Sequence, residues 1–277
     1  MAEQRAIIVT GSSSGIGAHC ARALQRDGWR VFATVRRDAD RQALEAEGIE
    51  ALVMDYTKPD TIAALVDTVS SRTDGAIDAL FNNGAYGQPG AVEDISTDVL
   101  RGQFEANLFG WHELARRIIP LMRRRGKGRI VQCSSILGLM PYRFRGAYTA
   151  SKYALEGLSI TMRMELAGSG IHVSLIEPGP ITSRFTANAL AKFRANVDVE
   201  GSPHAEEYKR QLTRLEGRGP VNRHKLGPEA VYSVLKHALN ARNPRPHYLV
   251  TTPARQGAWL KRLLPADLFY RLLRRFD

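Results

Sequence analysis

Tyr148 and Lys152 stand four residues apart in a stretch with helical periodicity (148–166), which puts both side chains on one helix face. A free phenol titrates near pH 10 and exchanges protons poorly at neutrality. A neighbouring ammonium favours the phenolate, and each unit of depression corresponds to about 1.4 kcal/mol. The pair is a candidate general acid/base. A hydroxyl that could fix a reacting oxygen lies thirteen residues upstream, at the end of an apolar run. Ser134 and Ser135 there must point to opposite faces of a strand, so only one can serve, and Ser135 is assigned.

A second chemistry-bearing run is Thr10-Gly11-Ser12-Ser13-Ser14-Gly15-Ile16-Gly17, between a β-branched run and a helical pattern. Glycines between a strand and a helix let backbone N–H groups approach a pyrophosphate, and the helix N-terminus adds partial positive charge. The spacing is G-x-x-x-G-x-G, so strand before and helix after carry more weight than the motif itself. The same residues fit G-x-S-x-G, the nucleophile elbow of a hydrolase with Ser13 as nucleophile. That reading leaves Gly17 unexplained and finds no HGGG-like oxyanion segment. Val35 ends the next apolar run and is followed by Arg36 and Arg37, with no acid at that place. A ribose diol would call for a carboxylate there, whereas guanidinium groups suit a 2′-phosphate. The expected cofactor is NADP(H), held by Arg36 and Arg37 with Ser12 adding a hydroxyl. Asp55 is placed either for the adenine edge or as a cap on the turn before Pro59.

The elements that must position these groups follow from the alternation of pattern. Residues 5–10, 30–35, 49–54, 77–82, 129–134 and 171–176 read as buried strands separated by amphipathic crossovers. This predicts an α/β, Rossmann-type doubly wound and mainly parallel sheet with helices on both faces. Gly28, Gly48, Gly75, Gly128 and Gly170 precede strands, where a turn would want positive φ. From 179 to 226 the pattern loosens around one helical stretch (184–193), and a long irregular segment in a compact domain reads as a substrate lid. Its Phe185, Leu190, Phe193 and Leu212 would make a lipophilic pocket wall or, as helix-spaced apolar residues, simply pack the segment itself. A helix near Pro228 and a short strand at 247–250 lead to a basic amphipathic tail (254–277) carrying Trp259, Leu263, Leu268, Phe269 and Phe276 among six Lys and Arg. Packing against the body or a second subunit, or weak contact with a membrane surface, would suit such a tail. The whole chain, 1–277, is read as one domain.

Composition narrows the classes. The net charge of +11 is compatible with a solvated surface, and Arg123-Arg124-Arg125 end a helical pattern without stacking aromatics, so nucleic acid is not expected as a partner. Cys20 and Cys133 are the two cysteines, so neither a disulfide framework nor a metal is expected from spacing. The N-terminus lacks a signal-peptide pattern and no apolar run nears a membrane span, which predicts a soluble, cytoplasmic protein.

Taken together, TGSSSGIG, NNGA (82–85), Asn107, SSILG, YTASK and PGPITS, in that order over about 5–182, resemble the short-chain dehydrogenase/reductase family. The resemblance implies Tyr148 as general acid/base, Lys152 lowering its pKa and holding the nicotinamide ribose, Ser135 binding the substrate oxygen, and Asn107 supporting a water-linked proton relay. It also implies that Asn82 and Gly84 line the cofactor and that Pro178, Gly179 and Thr182 flank the nicotinamide. The family usually writes NNAG where this chain has Gly84-Ala85. The VFATVRR and EPGPI stretches and the tail look most like the branch handling retinoids, steroids and lipophilic aldehydes or ketones. A dimer or tetramer is expected by the same likeness. The competing class is a non-catalytic NADP(H) sensor or scaffold on the same fold.

Overall fold

The computed structural model describes residues 4–216 and 223–274. Seven parallel strands form one sheet: β1 (Ala6–Val9), β2 (Arg30–Val35), β3 (Glu50–Val53), β4 (Ala79–Asn82), β5 (Gly128–Cys133), β6 (Ile171–Glu177) and β7 (His247–Leu249), in the order β3-β2-β1-β4-β5-β6-β7. Each expected strand is present, within two residues at either end. The strands read as apolar runs because helices cover both faces, so successive side chains on either side are excluded from water. Ile7, Ile8, Phe32, Leu80 and Phe81 are fully buried in this core.

The helices are α1 (Gly15–Arg26), α2 (Asp38–Ala46), α3 (Pro59–Arg72), α4 (Thr97–Phe104), α5 (Gly110–Arg125), α6 (Gly146–Glu165), α7 (Phe185–Asn196), α8 (Ala205–Leu215), α9 (Glu229–Asn240), α10 (Thr252–Leu263) and α11 (Ala266–Leu273). α1 packs on α9, and α3 on α5. A wide π-turn, Glu105–Phe109, joins α4 to α5. The helical stretch that carries Asn107 is thus two α-helices with an extra residue between them. Strand order reverses at β1, whose neighbours β2 and β4 leave in opposite directions. The crevice beyond the carboxyl ends of β1 and β4 is where such folds bind ligands.

Four of the five glycines expected to turn with positive φ do so, Gly28, Gly48, Gly75 and Gly170. Gly128 does not. It opens β5, and the left-handed turn lies two residues earlier at Gly126, the C-cap of α5. Arg123, Arg124 and Arg125 fill the last turn of α5, and Arg125 pairs with Asp78 at 3.1 Å. Among the described residues, no helix is long and apolar enough to cross a membrane.

The segment expected to be largely irregular contains two helices, α7 and α8, with their own apolar cluster. Phe193 and Tyr208 are its buried centre, packed with Ala91 and Phe144 from the body, and Leu190 and Leu212 lie against it. The tail folds into α10 and α11. Phe269 and Ala254 are buried, and a Cβ on Gly257 would come 2.6 Å from Met140 Sδ, so one face docks on the body. Trp259, Leu263, Leu268 and Tyr270 remain exposed. Phe276 lies outside the described residues.

At the β6–β7 edge the chain assembles a group that linear spacing does not announce. Glu177 is fully buried; its Oε1 lies 2.6 Å from His247 Nδ1 and its Oε2 accepts from the Tyr248 amide. Glu156 of α6 brings Oε2 to 3.7 Å from the same imidazole. The three metal-capable side chains have ligand atoms within 4.8 Å of one another. Burial, and then the charge of Glu177, push the Glu156 carboxyl up to about 7. A carboxyl raised in the folded state makes folding take up a proton, so its contribution to stability falls as pH rises from the ordinary glutamate value through about 7. Glu156→Gln should therefore remove as much as about 3 kcal/mol of the stability lost between pH 5 and pH 8. Urea unfolding across that range measures it; an unchanged pH slope in the variant would rule Glu156 out as the titrating group.

Candidate active site

The loop after β1 is built around three glycines that admit no side chain. Gly11 (φ +66°) would place a Cβ 2.5 Å from Gly84 Cα, Gly15 (φ +56°) one at 2.8 Å from Ser183 Cβ, and Gly17 one at 2.3 Å from Gly11 O. The G-x-x-x-G-x-G spacing thus follows from three separate close approaches. Thr10 stitches the crevice shut from below: its Oγ1 accepts from the amides of Asn83 (2.7 Å) and Gly84 (3.2 Å). The indole of Trp111 donates to Gly84 O at 2.9 Å. At Gly84, where the family pattern has alanine, a Cβ would sit 3.2 Å from the Tyr56 ring and 3.3 Å from Gly11, which is tight but open to small adjustment. Ser14 caps α1 with extended backbone and makes no side-chain cap bond, so the leading amides of the helix stay directed at the loop. A bare helix N-terminus beside backbone that tolerates no Cβ fits a dinucleotide pyrophosphate.

The acid/base group lies across the crevice. Ser135 follows β5 and caps a short 3₁₀ turn, Ile136–Gly138, its Oγ accepting from Leu137 N at 3.1 Å. Tyr148, in the first turn of α6, is buried. Burial pushes its phenol above the ordinary range, and the nearby Ser135 side chain opposes that. Lys152, one turn on, is fully buried; Nζ donates to Cys133 O at 2.9 Å and lies 4.1 Å from the centroid of the Trp111 ring. Its distance to the Tyr148 ring centroid is 5.9 Å. Burial lowers its pKa to about 8, so the ammonium still predominates at neutrality. Asn107, in the π-turn, donates to Tyr86 O at 2.9 Å and to Ser151 Oγ at 3.4 Å, which ties the segment after β4 to α6. Fully buried polar groups of this kind keep their geometry because each is satisfied by protein.

The other assigned residues are held by their own neighbours. The Ser12 hydroxyl is buried and donates to Val9 O at 2.9 Å, which braces the turn. Arg37 is held by both oxygens of Asp40 at 2.8 Å, while Arg36 is exposed. Asp55 takes the turn-capping alternative: Oδ1 accepts from Thr57 N and Oγ1, at 3.0 and 2.9 Å. Asn82 is buried, its amide bonded to Tyr56 Oη, Gln132 Oε1 and Trp111 O. It shapes the crevice floor from within. Pro178 O accepts from Ile136 N, Gly179 has no room for a Cβ against Thr251 Oγ1, and Thr182 N donates to Leu226 O. Ile16 packs partly buried against the core. Of the four apolar lid residues, only Phe185 reaches the acid/base group, its ring edge-on to Tyr148 at 5.4 Å.

Sequence reasoning missed Trp111 and Arg184, and named Phe185 as pocket wall without its contact to Tyr148. Trp111 follows Asn107 by four positions, a spacing that could have flagged it. The contact of Arg184 Nη2 with Ser13 O, at 2.9 Å, joins segments 171 residues apart and leaves no local signature.

A family model described as short chain dehydrogenase matches residues 5–193. The uncharacterized oxidoreductase YbbO of Escherichia coli K12 is 39% identical over 270 residues, spanning 98% of this chain and 94% of that protein. Human retinol dehydrogenase 8 is 34% identical over 217 residues, 76% of this chain and 70% of its own length. A short-chain dehydrogenase from Streptomyces avermitilis superposes with a TM-score of 0.79 at 28% identity, covering 99% of this chain and 97% of its own. Matched by a family model over most of its length, and carrying the family's motif residues in one crevice, the chain belongs to the short-chain dehydrogenase/reductase family of oxidoreductases.

Proposed function

We propose that this protein is an NADP(H)-dependent dehydrogenase/reductase acting on a carbonyl/alcohol pair, with Tyr148 as general acid/base. The observation that carries the reading is the meeting of Tyr148, Ser135 and Lys152 at one end of the crevice, opposite the glycine cradle. The dinucleotide, when bound, supplies or takes up the hydride. The backbone of Thr10, Gly11, Ser14, Gly15, Ile16 and Gly17 would hold its pyrophosphate, Gly84 would lie against it, and Pro178, Gly179 and Thr182 would flank its nicotinamide end. Arg36 would take the 2′-phosphate.

In the reductive direction Tyr148 Oη gives a proton to the substrate oxygen, and Ser135 Oγ donates a hydrogen bond to that oxygen. Lys152 biases the phenol toward ionisation through its nearby charge and holds the nicotinamide ribose, and Asn107 supports a water-linked relay that restores the proton. In oxidation the same groups act in reverse. The intact acid/base set favours this reading over a sensor or scaffold. A lipophilic aldehyde, ketone, retinoid or steroid-like alcohol is the proposed substrate, supported by the likeness to retinol dehydrogenase 8 and by Phe185 beside Tyr148. A cytoplasmic homo-oligomer is proposed, with exposed Phe109 and Met164 on the π-turn and α6 available for its contacts. The exposed apolar residues of α10 and α11 beside Lys261, Arg262 and Arg271 suit weak contact with a membrane surface.

Tyr148→Phe should lower kcat by roughly 100-fold or more while the NADPH Kd stays within about twofold, because the change removes the proton and little volume. Turnover above about a tenth of the parent would discard Tyr148 as the acid. Arg36→Ala should weaken NADPH by roughly tenfold or more and leave NADH unchanged, the loss of a charge-assisted contact; isothermal titration with both cofactors reads this directly. Across a series of straight-chain aldehydes, kcat/KM should climb by up to about fourfold per methylene, from roughly 0.8 kcal/mol per buried CH₂, until the pocket fills. Phe185→Ala should flatten that climb, and a preference for short hydroxylated substrates in the parent would refute a lipophilic site.

A further inference from the structure

Three arginines from two separate segments, the turn after β2 and the start of α7, lie about one carboxylate at the open edge of the glycine loop. Asp40, near the start of α2, is fully engaged by Arg37, with two contacts of 2.8 Å. Its carboxyl is held below the ordinary range first by that bond and, through charge alone, also by Arg184 and Arg36. Among the described residues neither Arg36 nor Arg184 has an ion-pair partner of its own. One carboxylate against three guanidinium groups leaves an excess of two positive charges. Like charges held together in this way call for a polyvalent anion, and guanidinium groups bind phosphate through paired, charge-assisted bonds.

Arg184 comes from the far side of the crevice. It occupies the N-cap of α7, the first helix of the segment over the acid/base group, and Nη2 reaches back to Ser13 O of the glycine loop at 2.9 Å. The preceding residue is seated just as closely: a Cβ on Gly15 would come within 2.8 Å of Ser183 Cβ. The next residue, Phe185, packs on Tyr148. Three consecutive residues thus touch the glycine loop, the arginine cluster and the proton donor.

We infer that Arg184 is a specificity-determining residue for the 2′-phosphate of NADP(H), and that its contact docks α7 over the site when the phosphorylated cofactor is bound. The inference rests on the NADP(H) reading above and deepens it. NADH, lacking the phosphate, leaves Arg184 with the Ser13 carbonyl alone, so it binds without the same hold on α7. The residue that discriminates the cofactor is then on the segment that covers the substrate.

The test measures dissociation constants of the full chain for NADPH, NADH and 2′,5′-ADP, which carries the phosphate without a nicotinamide. Arg184→Ala should weaken NADPH and 2′,5′-ADP by about tenfold and NADH by less than about twofold, with Arg184→Lys intermediate. Hydrogen exchange in α7 should slow on adding 2′,5′-ADP to the parent and respond much less in Arg184→Ala. Equal weakening of NADPH and NADH would show that Arg184 only props the loop through Ser13, and unchanged affinities would remove it from the site. Either result overturns the inference while leaving the Arg36 assignment standing, provided Arg36→Ala still lowers NADPH affinity. A parent protein indifferent to the phosphate, with Arg36→Ala equally silent, would overturn the cofactor reading itself.

Discussion

A fully buried ammonium governs the arrangement of this protein's crevice. Removing Lys152 from water is tolerable because the Cys133 carbonyl takes one of its N–H bonds and the Trp111 ring offers its negative face at 4.1 Å. Each of these partners fixes an element. Cys133 ends β5 and hands directly to Ser134 and Ser135; Trp111 lies in the first turn of α5 and, through its indole, holds Gly84 against Gly11. The glycine cradle and the proton donor are therefore kept in register by partners of the same lysine. Glu156 stands one turn beyond it on α6, and its electrostatic influence on Lys152 links the crevice to the buried Glu177–His247 pair at the sheet edge.

The fold was largely legible because it is written in local signals: apolar runs for strands covered on both faces, glycines at turns, and motif residues tied to strand ends. The chemistry of Tyr148, Lys152 and Ser135 was legible for the same reason, since helix spacing and strand alternation decide which side chains can meet. Orientation within a loop was not. Ser12 and Arg37 have the right types for a phosphate, yet a backbone carbonyl three residues away and an aspartate three residues on are nearer partners. Asp55 likewise caps its own turn, one of the two placements its position allowed. Short-range competitors of this sort cannot be ranked from residue type, because several geometries satisfy one donor equally well.

The segment after β6 shows the complementary limit. Helix-spaced apolar residues there looked equally suited to a pocket wall and to private packing, and the fold divides them: Phe193, Leu190 and Leu212 pack with Tyr208, while Phe185 turns to the site. What decides is Tyr208, whose hydroxyl is bound by the Ala91 amide and Asp94. That anchor spans more than a hundred residues of sequence and has no periodic signature.

The wide turn between α4 and α5 has a consequence for how this stretch can vary. Gln103, Asn107, Trp111 and Ala115 are all fully buried and spaced by four. On an ideal helix, advancing about 100° per residue, the last would sit about 120° around from the first. One surplus residue in the coil absorbs most of that rotation, so a polar group and an indole share a single line along the cylinder. Deleting one residue from 105–109 would close the wide turn to a regular spiral while leaving α4 and α5 in nearly the same phase, because twelve steps with one surplus residue turn about as far as eleven regular ones. Such a deletion would remove the local widening that carries Asn107 and would leave the alignment of the helices on either side intact.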